Sequence, residues 1–236
     1  MGKNKLKKWS AIDGYNHVLQ PPIEEVFGKD FYLKGNWNKD FFKNNNPLVL
    51  ELGCGKGEYS VNLARLYPQK NFIGVDIKGA RIWKGATDAD IEKLTNVAFI
   101  RARIELINSF FGEDEVDEIW VTFPDPQVKT RRAKKRLTGP FFLNMYRKFL
   151  KPSGIIHLKT DSAELHEYTS KIIRINQLEL LITTGDLYSW SPDNELLGIR
   201  THYEQIFLNQ GKKITYTAFR LNQGQEIKDT TAHNDQ

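Results

Sequence analysis

The sequence predicts an α/β protein built on one doubly wound, mostly parallel sheet of about seven strands, the last of them added at an edge. Three observations predict it. From Leu48 onward, short apolar runs alternate with helical patterns. The chain has 236 residues, enough for one large domain with extensions. Its composition, 40% hydrophobic and 27% charged, is that of a folded soluble chain and excludes both global disorder and a membrane bundle.

The elements follow in order. Residues 1–46 carry Lys3, Lys5, Lys7 and Lys8, then aromatic residues without a clear period, and end in Asn44-Asn45-Asn46-Pro47. This reads as a basic N-terminal extension ahead of a domain spanning residues 47–221. Six strand candidates come next: Leu48 to Leu52, Asn71 to Asp76, Val97 to Arg101, Glu118 to Phe123, Gly154 to Thr160 and Leu178 to Thr184. Between them, Tyr59, Leu63 and Leu66, then Phe142, Met145 and Phe149, then Leu165, Tyr168, Ile172 and Ile175 recur at helical spacing. Strands alternating with helices imply right-handed β-α-β units and a sheet covered on both faces. Such sheets bind ligands beyond the carboxyl ends of their strands, so the chemistry is expected on the loops that leave those ends. A final strand, Ile214 to Leu221, follows the Gly211-Lys212-Lys213 turn and is expected at an edge; residues 222–236 form a polar tail expected to be disordered.

Several classes drop out. No run approaches the roughly 18 apolar residues of a membrane span, and no apolar stretch follows the Lys-rich start, so a cytoplasmic protein without membrane partners is expected. The single cysteine, Cys54, forms no internal disulfide, and five scattered histidines lack ligand spacing, so no metal is expected. The net charge of +5 is too small to argue for nucleic acid by itself. Its placement matters more.

The first strand runs into Glu51-Leu52-Gly53-Cys54-Gly55-Lys56-Gly57. Glycines at this spacing turn the backbone tightly and let a ligand approach. A dinucleotide fingerprint, G-x-G-x-x-G, would require glycine where this chain has Glu58. Glu51 would also repel a pyrophosphate, and suits a ligand that carries positive charge. The second strand ends in Asp76, where Rossmann-like folds place the carboxylate that holds a ribose. A plain strand-to-helix turn would need the glycines but neither carboxylate. With Glu51, Gly53, Gly55 and Asp76 together, the sequence resembles the class I S-adenosylmethionine-dependent methyltransferases, whose first motif is E-x-G-x-G.

The fourth strand runs into Pro124-Asp125-Pro126, and six cations lie between Lys129 and Arg136. The prolines hold Asp125 in extended backbone above the crevice. The basic run reads either as a solvated face or, beside a catalytic loop, as a binding surface for nucleic-acid phosphates. Pro-Asp-Pro, Lys129, the Arg-Arg-x-Lys-Lys-Arg-Leu run, Lys159-Thr160-Asp161 and Gly198-Ile199-Arg200-Thr201-His202-Tyr203-Glu204 together resemble the tRNA (guanine-N7-)-methyltransferase family, bacterial TrmB type. That resemblance implies S-adenosylmethionine contacts at Glu51, Gly53, Gly55, Asp76 and Asp125. It implies guanine or tRNA contacts at Lys129, Asp161, Thr201, His202, Tyr203 and Glu204. Two positions depart from the family pattern: Arg103 stands at a cofactor-binding position that is usually acidic, and Gln127 stands where a Trp is usual.

Guanine N7 carries an in-plane lone pair and can attack a sulfonium methyl group without a general base. The task is to align the two atoms and accommodate the cation that forms on the ring. Asp125 is the candidate catalytic residue, accepting from guanine N1–H or the exocyclic amine, with Asp161 and Glu204 sharing the charge. Thr201 and Glu204 also read as a helix capping box. His157 reads as a core or strand-end residue, and Trp83, Trp120 and Trp190 as packing residues, with Trp190, two residues after Tyr188 in a loop, also placed where it could meet RNA. The competing class is a non-catalytic RNA-binding protein on a degenerate Rossmann-like core. A homodimer is compatible with the sequence, which does not decide it.

Overall fold

A computed structural model of the chain describes residue 8 and residues 10–191 and 198–229. Lys3, Lys5 and Lys7 lie outside the described residues, as does the end of the tail from residue 230. The strands are β1 (Val18–Leu19), β2 (Leu48–Leu52), β3 (Asn71–Asp76), β4 (Val97–Arg101), β5 (Val116–Thr122), β6 (Leu150–Thr160), β7 (Glu179–Thr184) and β8 (Thr215–Arg220). They form one sheet in the order β1-β4-β3-β2-β5-β6-β8-β7. All neighbours are parallel except β8, which runs antiparallel to both β6 and β7.

Burial explains the pattern. All five residues of β2 are buried, which is what a strand covered on both faces requires. Along the strands, alternate side chains enter two separate apolar layers. Val49, Phe72 and Phe99 pack with helices α2 (Glu58–Leu66) and α3 (Gly79–Ile91), which follow a single-turn helix α1 (Ile23–Val26). Leu48, Leu50, Ile73 and Ile119 pack on the opposite face with α4 (Pro140–Tyr146) and α5 (Ala163–Ile175). The Ser162 hydroxyl accepts from the Leu165 N–H at 3.2 Å and caps α5.

Three expectations are corrected. β8 lies between β6 and β7 instead of at an edge, because its first five residues are buried and need strands on both sides. Residues 10–46 are built into the core instead of preceding it. Val26, Phe31, Leu33, Trp37 and Phe42 join the layer under α4 and α5, the Trp37 Nε1–H donates to the Phe110 carbonyl at 2.8 Å, and Val18–Leu19 pairs with β4 as an eighth strand. The start of the tail is also packed. Ile227 is buried, and Asn144 and Asn176 each exchange two hydrogen bonds with the backbone of residues 227 and 228. Among the described residues, no helix is long and apolar enough to cross a membrane.

Candidate active site

At the carboxyl ends of β2 to β5 lies a cleft of about 400 Å³, lined among others by Gly53, Asp76, Arg81, Arg103, Phe123 and Asp125. A smaller lobe of about 60 Å³ shares Gly53, Arg81 and Phe123 with it and adds Glu51, Thr201 and Tyr203. The loop after β2 shapes both. Gly53 sits at φ +79° and donates to the Val75 carbonyl at 2.8 Å, so the turn folds back on β3. Gly57 ends the loop at φ +70°, where a Cβ would lie 2.5 Å from Phe99 and would press on Gly85 of α3. Gly57 and Gly85 are thus the close contact that seats the loop on the helix; Gly57 belongs to the glycine run of the sequence, whereas no local pattern marks Gly85.

Glu51 is 3% exposed. Its Oε2 accepts from the Ser60 N–H at 3.0 Å and the Ser60 hydroxyl at 2.6 Å, and its Oε1 accepts from Thr122 Oγ1 at 2.6 Å. Burial raises its pKa to about 7 against the opposing pull of those bonds, and the charge of Asp76 adds to the rise. Of the roughly four lone-pair positions on a carboxylate, three are used, which leaves one on Oε1 for a ligand. Asp76 is a spacer as well as a ligand candidate: Oδ2 accepts from the Gly55 N–H at 3.0 Å and Oδ1 from the Lys78 N–H at 2.7 Å. Each oxygen keeps a further lone pair.

Asp125 is exposed and lines the larger cleft. Its loop is bracketed by two left-handed residues, Phe123 at φ +47° and Gln127 at φ +48°. Backbone strain of this kind persists where surrounding structure imposes it, commonly at functional sites. Asp125 Oδ1 accepts from the Gln127 N–H at 3.1 Å. Gln127, standing at the place of the usual Trp, therefore shapes the loop through its backbone. Arg136, expected to face RNA, is instead a latch: it donates to the Gln127 carbonyl from Nε and Nη2 at 3.3 Å each, and its guanidinium lies 4.2 Å from the centre of the Tyr168 ring. Lys129, Arg131, Arg132 and Lys134 are exposed.

The remaining predicted residues divide. Arg103 lines the larger cleft beside Glu105, 3.5 Å from its carboxylate, so an acidic side chain is present two residues after the expected place. Thr201 and Tyr203 line the smaller lobe, and the Arg81 guanidinium lies 5.7 Å from the Tyr203 ring. Lys129, Asp161, His202 and Glu204 line neither lobe. Asp161 is paired with Lys212 at 2.6 Å. His202 opens helix α7 (His202–Asn209), which follows the short α6 (Leu187–Trp190), and its N–H donates to Glu58 Oε2 at 2.8 Å.

Glu204, expected to touch substrate, is fully buried in this structure, 2.9 Å from the equally buried Lys159 ammonium, and it accepts from the Tyr188 hydroxyl at 2.6 Å and the Thr201 N–H at 3.3 Å. The capping box with Thr201 is complete. Burial lowers the Lys159 pKa, and the charge and hydrogen bond of Glu204 oppose that fall. The sequence signal for Glu58 was its place at the missing third glycine; nothing in the local pattern marked Ser60, Thr122 or Lys159 as supports.

The donor set fits S-adenosylmethionine. A buried carboxylate with a spare lone pair suits an ammonium or sulfonium, the carboxylate at the end of β3 suits a ribose, and a cleft of about 400 Å³ falls within the range of small-ligand sites. Among the described residues no cluster of three or more potential ligand side chains could hold a metal ion.

Comparison with known proteins agrees. The 16S rRNA methyltransferase KamB shares the fold, with a TM-score of 0.61 at 15% identity over 78% of this chain and 92% of that one. A 16S rRNA (adenine(1408)-N(1))-methyltransferase from Catenulisporales acidiphilia shares it at a TM-score of 0.55 and 12% identity, over 83% of this chain and 94% of that one. A family described as putative methyltransferase matches residues 45–217. A tRNA (guanine-N(7)-)-methyltransferase of Cytophaga hutchinsonii is 40% identical over 94% of this chain and 99% of its own length. That of Bacteroides fragilis (strain YCH46) is 52% identical over 97% of this chain and 90% of its own. With identity at that level over nearly the whole of both chains, this protein belongs to the tRNA (guanine-N(7)-)-methyltransferase family.

Proposed function

We propose that the protein is a cytoplasmic enzyme that methylates N7 of a guanine in the variable loop of tRNA, using S-adenosylmethionine. The observation that carries the reading is the placement of Asp125: an exposed carboxylate on a loop fixed by two left-handed residues, facing the same cleft as Gly53 and Asp76. When bound, S-adenosylmethionine supplies an electrophilic methyl group on a positively charged sulfur. Glu51 and the Gly53–Gly55 turn would hold its charged end and Asp76 its ribose.

Asp125 then has two tasks. It accepts a hydrogen bond from the Watson–Crick edge of the guanine, which fixes the direction of the N7 lone pair, and its negative charge favours the cation that appears on the ring. No residue needs to remove a proton, because N7 carries none. Tyr203, stacked near Arg81, offers an aromatic surface at the mouth of the smaller lobe, suited to a base turned out of a loop. Lys129, Arg131, Arg132 and Lys134 present cations to the phosphates on either side.

The test uses unmodified tRNA and labelled S-adenosylmethionine, followed by borohydride reduction and aniline cleavage, which cuts at 7-methylguanosine. A single cut in the variable loop is expected. Incorporation without such a cut, or a cut elsewhere, would overturn the site assignment.

A further inference from the structure

We propose that Lys159 is a positioning residue that anchors both walls of the smaller lobe, so that the buried Lys159–Glu204 pair sets the place of the Thr201–Tyr203 turn. The inference deepens the methyltransferase reading and rests on it for the direction of the kinetic effect.

Lys159 stands next to the end of β6 and reaches two loops at once. Its backbone carbonyl accepts from the Phe123 N–H at 2.8 Å, and Phe123 is the left-handed residue at which the chain enters Pro124-Asp125-Pro126. Its ammonium donates to the Ile199 carbonyl at 2.9 Å and lies 2.9 Å from Glu204 Oε1. The same carboxylate accepts from Tyr188 and from the Thr201 N–H. The loop that carries Asp125 and the turn that carries Thr201 and Tyr203 therefore meet at one residue of the central sheet.

A capping box explains only part of this. It needs an acceptor at its third position, and Glu or Gln serves equally at a solvent-exposed helix end. Here the acceptor is fully buried and faces a fully buried lysine. Such a pair adds little net stability over an apolar pair of equal volume, but breaking it leaves an uncompensated buried charge. Its effect is directional. The ammonium satisfies Ile199 and Glu204 together in one arrangement, and that arrangement fixes where α7 begins relative to β5. The Glu58 carboxylate, which holds the His202 N–H from α2, braces the same turn from the glycine-loop side.

The experiment compares full-length wild type with Lys159→Met, Glu204→Gln and the double variant. Glu204→Gln keeps an acceptor for the capping box, and the double variant leaves no lone buried charge. Thermal unfolding, hydrogen exchange of the peptide covering residues 198–205, and steady-state kinetics with unmodified tRNA and S-adenosylmethionine are measured on each. The double variant is expected to recover most of the melting temperature that Lys159→Met loses. Exchange at 198–205 nevertheless stays roughly tenfold faster than wild type. The strands β2 to β5 remain as protected as before. Its kcat/KM for tRNA stays reduced roughly tenfold to hundredfold, the scale of a displaced positioning group.

A double variant with wild-type exchange and kinetics would overturn the proposal and leave a pair that serves stability alone. So would wild-type kinetics in Lys159→Met alongside an inactive Glu204→Gln, which would mean that Glu204 acts on substrate by itself. If Lys159→Met does not fold, the double variant decides. A wild type that methylates no tRNA would instead overturn the enzymatic reading, and the exchange data would still decide the anchor.

Discussion

Glu51 makes the stability of the ligand-free protein depend on pH in a direction opposite to that of an ion-paired carboxylate. Its pKa is raised by burial from an ordinary 4.5 to about 7, so between those values the folded chain binds a proton that the unfolded chain has released. The stabilising contribution is complete below pH 4.5 and is lost as pH rises through 7. A shift of about 2.5 pH units at 1.36 kcal/mol each amounts to about 3 kcal/mol. The perturbation is Glu51→Gln, which cannot ionise, and the assay is urea unfolding of both proteins at intervals from pH 4.5 to 8.5. The stability of wild type minus that of Glu51→Gln is expected to fall by about 3 kcal/mol across this range, with most of the fall complete by pH 7. The subtraction removes groups common to both chains. A difference that stays flat with pH, or rises, would refute the reasoning, because it would mean that the carboxylate is ionised in the folded state throughout.

Other outcomes are expected. Asp125→Ala should lower the single-turnover methylation rate by roughly a hundredfold or more without moving the melting temperature, since the side chain is exposed; a near-normal rate would remove Asp125 from the mechanism. Gly57→Ala, which would put a Cβ 2.5 Å from Phe99 at a left-handed residue, should destabilise by about 1–3 kcal/mol in chemical unfolding. Arg131→Ala should reduce the salt dependence of tRNA binding by roughly 0.7 in the log–log slope if it meets a single-stranded phosphate. Arg136→Ala should lower kcat while leaving that slope unchanged, because the guanidinium serves the Gln127 carbonyl and Tyr168.

Much of the site was legible because its signals are local. Strand ends, glycine spacing and Pro-Asp-Pro lie within short windows, and Gly53, Asp76 and Asp125 line one cleft. The supports were not legible, since each joins segments far apart in the chain. Thr122 reaches Glu51 across 71 residues and Glu58 reaches His202 across 144. Glu204 shows the danger of reading a motif residue by residue: its neighbours Thr201 and Tyr203 line the lobe, while its own side chain turns inward to Lys159. The basic run misled in a similar way at Arg136, where charge alone said nothing of the ring and carbonyls that hold it.

By itself the sequence determined the alternation of strands and helices and the loops on which the chemistry sits, because apolar periodicity and turn-forming residues act over a few positions. It also determined the family, through motifs whose order survives without any knowledge of the fold. Only the tertiary structure decided that residues 10–46 belong to the core, since Trp37 and Phe31 have no period and bury themselves against Phe110, Phe111 and the far strands. It alone inserted the final strand between β6 and β7, where both neighbours satisfy its backbone. And it separated residues that face the ligand from those that hold them in place, because burial and hydrogen-bond partners are set by contacts between segments that the linear order keeps apart.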